Sequence, residues 1–490
     1  MGGLAIPSEV WIVLAITAAG AALRFATLTG QSYWFDEATT AHDMQLSFGA
    51  MLHAVNVGES TPPLYYMNAW VWAKLFGVGE AGLRSLSALA GIAAIPITYL
   101  CGRELVSRAA GYAAAALAAA SPWMIWYSQE ARAYMLFALL SGLSLLFFAR
   151  VRREPSGRNL AWWVICSSLA LLTHYFAGFL VAAEALWLLA AIRTRAVVIA
   201  SAATAAVQAA IVPLILSQLG HHHLNWIKQF PLHLRIEDTA ASFGINTLAQ
   251  SSAVHYGLLG AGLLAAIVVV LVAYGGTREH RSGARVVAAL AAAVLLVPLL
   301  LAEVGHDYYL ARNLIAAWIP LAVLVGAACT APRTLPAGMP LLMILLGGFV
   351  YSGIYIDRHA GYQRPDYRGV AHALGPVAPQ RVVVAYGGEN DAQSLSLYLR
   401  GASWEAPPES PLTVREVDVV GSIWQTSPSR LPFGARLILS KAVNNFLVDR
   451  FSLSPAWHGT PAEIAAHATA LLGPVRSAPG VFVQPGLRAR

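Results

Sequence analysis

Long apolar runs, separated by short linkers that carry arginine, repeat along the first 355 residues and leave few folds open to this chain. A helix rises about 1.5 Å per residue, so roughly 20 apolar residues cross the ~30 Å hydrocarbon core of a bilayer. Eleven such runs can be read, at 9–29, 83–101, 110–127, 134–150, 160–174, 177–192, 196–217, 253–274, 285–303, 309–329 and 338–355. Composition agrees: 57% of residues are hydrophobic and 12% charged, against roughly 45–50% and about 25% in ordinary globular chains. A cytosolic enzyme, a disordered protein and a disulfide scaffold are excluded. The last 134 residues hold 23 of the 57 charges, so the apolar part ends near 355. The expected architecture is a polytopic α-helical membrane protein of about 11 spans, residues 1–355, followed by an extracytoplasmic α/β domain, residues 356–490.

Five linkers hold Arg103 and Arg108; Arg150, Arg152, Arg153 and Arg158; Arg193 and Arg195; Arg278, Arg281 and Arg285; and Arg333. Basic short loops face the cytoplasm, which accounts for the net charge of +7 without a nucleic-acid partner. With the Arg103 linker inside, the run 83–101 passes inward and the run 9–29 outward. Everything from 30 to 82 is then extracytoplasmic, and the apolar stretch 62–76 cannot cross. It reads as an interfacial helix with Thr61 as its N-cap and Pro62 in its first turn. Eleven crossings put the N-terminus in the cytoplasm and the C-terminal domain outside. The first run has no basic region or small-residue cleavage site, so it is expected to be retained. Cys101, Cys166 and Cys329 all lie in or beside apolar runs and build no disulfide framework or zinc spacing.

After residue 355, β runs at 381–386, 414–420, 436–440 and 480–483 alternate with helical stretches at 391–400, 441–451 and 461–472. Asp366 fits the N-cap of a helix over 367–374, with Gly375 as its stop. Gly387 and Gly388 follow the first β run, but no phosphate-binding glycine pattern or P-loop lysine accompanies them.

The acids in the outer loops carry the candidate chemistry. Asp36 and Glu37 follow a Tyr-Trp-Phe run just after the first span; they could cap a helix, or serve as a desolvated general base or a divalent-metal site. Gln129, Glu130 and Arg132 occupy a short outer hairpin, where a second acid could orient an acceptor or tune Asp36. His174 lies in the next hairpin, where a structural role competes with a catalytic one. His221, His222 and His223 are successive and cannot converge on a metal from regular helix. Arg312, at an outer boundary, either snorkels or clamps a phosphate. Glu184, inside a span, is expected to face the bundle and a partner.

At these residues the chain resembles the polyprenyl-phosphate-sugar-dependent glycosyltransferases of the C-type membrane fold. It is most similar to bacterial relatives of the dolichyl-phosphate-mannose protein mannosyltransferases, the family 39-like group that includes the lipid A aminoarabinose transferases. The resemblance rests on the pair Asp36-Glu37, Thr61-Pro-Pro-Leu-Tyr-Tyr66, Phe76-Gly-Val-Gly-Glu-Ala-Gly-Leu-Arg-Ser85 and Tyr127-Ser-Gln-Glu-Ala-Arg-Ala-Tyr134. It implies a C-type glycosyltransferase domain over 1–355 with a catalytic outer loop at 30–82. The implied reaction is inverting transfer of a monosaccharide, mannose first, from a polyprenyl-phosphate donor to an acceptor hydroxyl outside the membrane. Asp36 matches the base and Glu37 its partner, with Glu130 a further catalytic candidate. Gln129, Arg132, Tyr65, Lys74, His174 and Arg312 are the expected substrate contacts. The acceptor would be a lipid, a glycan or a protein. The relatives' usual His-Pro-Pro is Thr-Pro-Pro here, and the inserted lumenal domain of the protein mannosyltransferases is missing. An arabinosyl or aminoarabinosyl transferase, or a transporter of lipid-linked precursors, are the alternatives.

Overall fold

In the computed structural model of the chain, helices dominate as far as Arg358 and strands follow Gln380. The structure describes residues 7–221, 224–245, 253–376, 378, 380–385, 389–399, 402–404, 411–422, 435–460, 463, 466 and 480–483. The chain divides into two compact units: Met1–Leu28 with Asp43–Tyr355, and Thr29–His42 with Ile356–Arg490. The start of the outer loop thus groups with the C-terminal residues, not with the spans.

Among the described residues, eight helices are long and apolar enough to cross a membrane: Ser8–Ala26, Glu80–Leu105, Tyr134–Arg153, Arg195–Gly220, Tyr256–Gly275, Arg278–Glu303, Ala311–Cys329 and Leu335–Arg358. They coincide with eight of the eleven expected runs. The other three are shorter, so helix length does not bear out a count of eleven. Runs 160–174 and 177–192 form helices Gly157–Thr173 and Ala177–Ala191, which reach only about 26 and 23 Å. Run 110–127 breaks into Arg108–Ala120 and Pro122–Ser128.

The break has a chemical cause. Pro122 has no N–H and pushes Ser121 out of the helical region, so the ladder stops there. Ser121 then caps the second piece by accepting from Met124 N. The Ala118 carbonyl loses its usual donor. Arg24, fully buried on the first span, donates from Nη2 to Ala118 O at 2.9 Å and from Nη1 to Ala119 O at 3.1 Å and Gly20 O at 3.0 Å; its Nε reaches Ser128 Oγ at 3.0 Å. Gly91 makes room for this junction, because a Cβ there would lie 2.0 Å from Ser128 Oγ.

The juxtamembrane helix is Leu64–Phe76, with Pro63 at its N-cap position and no side-chain cap. The expected start at Thr61 and Pro62 is corrected, because each residue before a proline is held out of the helical region. Thr61 instead donates to the Tyr66 hydroxyl at 3.5 Å. Met67, Val71 and Leu75, four residues apart, are exposed on one face with Phe76, which is how an interfacial helix presents itself to lipid.

In the second unit, six described strands make one sheet: β1 Arg381–Ala385, β2 Ser403–Trp404, β3 Leu412–Ser422, β4 Ala435–Val443, β5 Phe446–Gly459 and β6 Gly480–Val483, in the order β2-β6-β1-β3-β5-β4. β1 pairs parallel with β3 and the other pairs are antiparallel. β1 is buried along its whole length. Val383 and Ala385 face a core shared with Tyr367, Val370 and Leu395, while Val382 and Val384 face Val414, Val419 and Phe451. The helix Tyr367–Leu374 has Asp366 as N-cap and Gly375, at φ +68°, as its stop. The expected helix at 441–451 is overturned. Asn444 adopts φ +46° and turns β4 into β5, which asparagine tolerates better than most residues. The expected helix at 461–472 and His222 and His223 lie largely outside the described residues.

Replacing Arg24 with Met should strand two carbonyls and cost on the order of 2–4 kcal/mol. A thermal melt of the purified protein should show a lowered midpoint, and an unchanged midpoint would remove Arg24 from this role.

Candidate active site

In the membrane unit, the outer hairpin of Gln129, Glu130 and Arg132 is built onto the first span. Gln129 donates to Arg24 O at 2.9 Å and Thr27 Oγ1 at 2.8 Å, and Arg84 donates to Leu28 O at 3.0 Å. Arg132 meets Glu59 through two hydrogen bonds of 2.5 and 2.7 Å, both side chains less than 10% exposed. Its guanidinium also lies 5.8 Å from the Tyr66 ring. Asp43 is buried near the same pair. Burial and the neighbouring Glu59 charge push its carboxyl up to about 7, against the opposing pull of Arg132.

Arg312 stands between the rings of Tyr134 and Trp226, 5.8 and 5.6 Å away. It is the second residue of a short 3-10 helix, Ala311–Ala317, that follows a segment bonded by Arg235. Arg235 grips Asp307 at 2.7 and 2.5 Å and donates to Tyr309 O at 2.7 Å. His174 is buried, stacked on Phe137 at 4.6 Å, and kept neutral: burial, then Arg312 and Arg132, push it down to about 3. Buried Glu130, Arg312 and Asp238 are all charged neighbours of Tyr127. Burial raises Asp238 to about 6. Glu130, Arg132, His174 and Arg312 are thus electrostatic neighbours in one polar cluster, with Gln129 beside Glu130 in the hairpin. Tyr65 is fully buried, edge-on to Tyr66. Lys74 is apart, exposed over the Trp70 ring at 4.7 Å.

The acidic pair lies in the other unit, in the first turn of helix Phe35–Asp43. Ser32 accepts from Tyr367 N at 3.0 Å and donates to Pro365 O at 2.9 Å; Tyr33 N donates to the Tyr398 hydroxyl at 2.8 Å. Arg368 donates to the carbonyls of Thr29 and Gly30. Glu37 is fully buried and 3.9 Å from Arg364, itself 3% exposed. Asp36 is half-buried. A cavity of about 290 Å³ adjoins this segment, lined by Ser32, Arg364, Arg368, His372 and Asn444 among others. No group of three or more His, Cys, Asp or Glu side chains able to hold a metal ion occurs among the described residues.

Glu59, Asp238 and Arg364 were not singled out from sequence. Glu59 had one visible signal, an acid three residues before Pro62-Pro63; the other two depend on tertiary contacts. Asp43 generates a pH prediction. Its folded pKa is raised from 3.8 to about 7, so the native state holds the proton more tightly and the wild type loses stability as pH rises through that window. The melting midpoint of Asp43→Asn, relative to wild type, should climb between pH 4 and pH 7 and level off above. A difference independent of pH would refute the shift.

Residues 60–217 match the family model described as dolichyl-phosphate-mannose-protein mannosyltransferase. No curated protein matches the chain in sequence. Among solved structures, apo ArnT of Cupriavidus metallidurans shares the fold at a TM-score of 0.53 and 14% identity, over 91% of this chain and 98% of that one. The same protein bound to undecaprenyl phosphate matches at 0.50 and 13%, over the same shares. The chain is thus similar to the protein mannosyltransferase family over residues 60–217 and shares the fold of ArnT over 91% of its length.

Proposed function

We propose that the chain moves a monosaccharide, mannose first, from a polyprenyl phosphate to an acceptor hydroxyl on the outer face of the cell membrane, with inversion. The observation that carries this reading is the mannosyltransferase match over residues 60–217, which includes the Glu59-paired Arg132 and its hairpin. ArnT of Cupriavidus metallidurans has been solved bound to undecaprenyl phosphate, which supports a donor lipid of this kind. Asp36, the less buried acid, is the base that takes the acceptor's proton; Glu37, held beside Arg364, is its partner. Glu130, Gln129, Tyr65, His174 and Lys74 complete the proposed substrate surroundings. The leaving phosphate needs cationic support as the glycosidic bond breaks, and Arg312 and Arg132 are the groups assigned to it.

The matched region omits both the acidic pair and the C-terminal unit. This keeps a second donor in play, an arabinosyl or aminoarabinosyl phospholipid, with a lipid or glycan acceptor in place of a protein. Donor profiling with labelled sugar phospholipids decides between them. Asp36→Asn should lower transfer by about a hundredfold or more, the usual worth of a general base, without changing donor binding. Full activity in that variant would remove Asp36 from the role.

Arg312→Gln should weaken donor use by roughly ten- to hundredfold, the worth of a charge-assisted contact, while the melting midpoint moves little. Arg132→Gln should lower both, because it also strands Glu59. Wild-type donor kinetics in both variants would place the phosphate elsewhere, with Lys74 the next candidate.

The same proposal places the N-terminus in the cytoplasm and the C-terminal unit outside. The arginine linkers support it. Reporters fused after Ser156 and after Arg490 should report opposite sides; agreement between them would overturn the orientation.

A further inference from the structure

At the C-terminal end of helix Tyr134–Arg153, a cavity of about 570 Å³ is lined by Arg150, Arg153, Arg158, Glu104, Glu154 and Trp162, together with Phe147. The helix is 20 residues long, so the cavity stands about 30 Å from the Gln129–Arg132 hairpin at the other end. It belongs to a different membrane face from the proposed chemistry.

Its charges are unevenly matched. Glu104 is already engaged by Arg103 and Arg153, each at 3.1 Å, and is only 11% exposed. Arg150 and Arg158 have no ion-pair partner among the described residues; Arg150 lies 5.1 Å over the Phe147 ring. Three arginines face two glutamates, leaving one positive charge in excess. The floor is a built turn. Asn159 Nδ2 donates to Glu154 O at 3.0 Å, and Ser156 caps helix Gly157–Thr173 by accepting from Asn159 N. The first turn of that helix, with Arg158 and Asn159, therefore opens on the cavity, where helix N–H groups add to the attraction for an anion. The wall is apolar: Trp162, 48% exposed, stacks on Phe147 with ring centroids 5.8 Å apart. A tryptophan so placed belongs at the boundary between headgroups and acyl chains.

We propose that this cavity binds the phosphodiester of a monoanionic phospholipid, of the phosphatidylglycerol kind, in the leaflet opposite the candidate active site. Arg150 and Arg158 hold the phosphate, and the first acyl carbons run along Trp162 and Phe147. The single excess positive charge suits a phosphodiester better than a polyanion, and the aromatic wall would serve no purpose for a soluble phosphate. Basic pockets between spans on the arginine-rich face are where anionic headgroups bind.

The test uses the full-length protein in neutral detergent, with thermal melts during titration by phosphatidylglycerol, phosphatidylcholine, glycerol 3-phosphate and inorganic phosphate. Phosphatidylglycerol should stabilise the wild type at concentrations where the other three do not. Arg150→Gln with Arg158→Gln should weaken that binding tenfold or more. If the double variant does not fold, exposed Arg158→Gln alone should still weaken it severalfold, and Trp162→Ala should weaken the lipid without changing the response to inorganic phosphate. Equal stabilisation by phosphatidylcholine, equal stabilisation by inorganic phosphate, or wild-type affinity in the arginine variants would each overturn the proposal.

Discussion

The Ala118 carbonyl has no helical donor because the residue four positions on is Pro122, and Arg24 supplies one. In a hydrocarbon setting an unsatisfied carbonyl costs several kcal/mol, and a buried guanidinium without acceptors costs more. Each defect is tolerable only because the other is present. The consequence reaches past the junction itself. Fixing Arg24 fixes the end of the first span, whose Arg24 and Thr27 oxygens receive Gln129. The hairpin that carries Glu130 and Arg132 is thereby set against the span that leads to the acidic pair.

The same logic recurs wherever a polar group is buried in the membrane unit. Lipid tails are as apolar as leucine, so helices gain little from hydrophobic association and depend on packing and internal hydrogen bonds. Glu184, fully buried, accepts from Ser144 at 2.5 Å and Trp163 at 2.9 Å, tying three helices together. Arg235 joins helix Leu232–Ile245 to the segment before Arg312 through Asp307. Gln218 donates to Val55 O and Thr61 O while accepting from the Tyr175 hydroxyl. The Glu184 contacts lie mid-helix, whereas those of Arg235 and Gln218 lie near the ends of their helices. The groups proposed to handle a charged substrate are therefore held by charges and amides, not by apolar packing alone.

Some of this was readable in sequence because its cause is local. The Asp366 cap, the Gly375 stop and β6 at Gly480–Val483 lie where residue chemistry placed them. Hydropathy found eight span-length helices but not the break at Pro122, because an average over a window ignores one missing N–H. The stretch 441–451 reads as helix although it turns at Asn444, a positive-φ position between two short apolar runs. Glu59 is not recognisable as a site residue from its neighbours. Its role depends on Arg132, 73 positions away, and that pairing has no local signature.

The acidic pair shows most plainly how far a site can depend on distant chain. Asp36 and Glu37 follow the first span, yet their segment groups with residues more than 300 positions later, through Ser32, Tyr33, Arg364 and Arg368. The two neighbouring acids are thereby made unequal. Glu37 is fully buried, 3.9 Å from a buried arginine. Asp36 keeps part of its surface open. A base must reach the proton that it abstracts, and the part-exposed Asp36 agrees with the role proposed for it. The C-terminal residues thus supply a buried arginine to one acid of the pair, so that two neighbouring carboxylates sit in different surroundings.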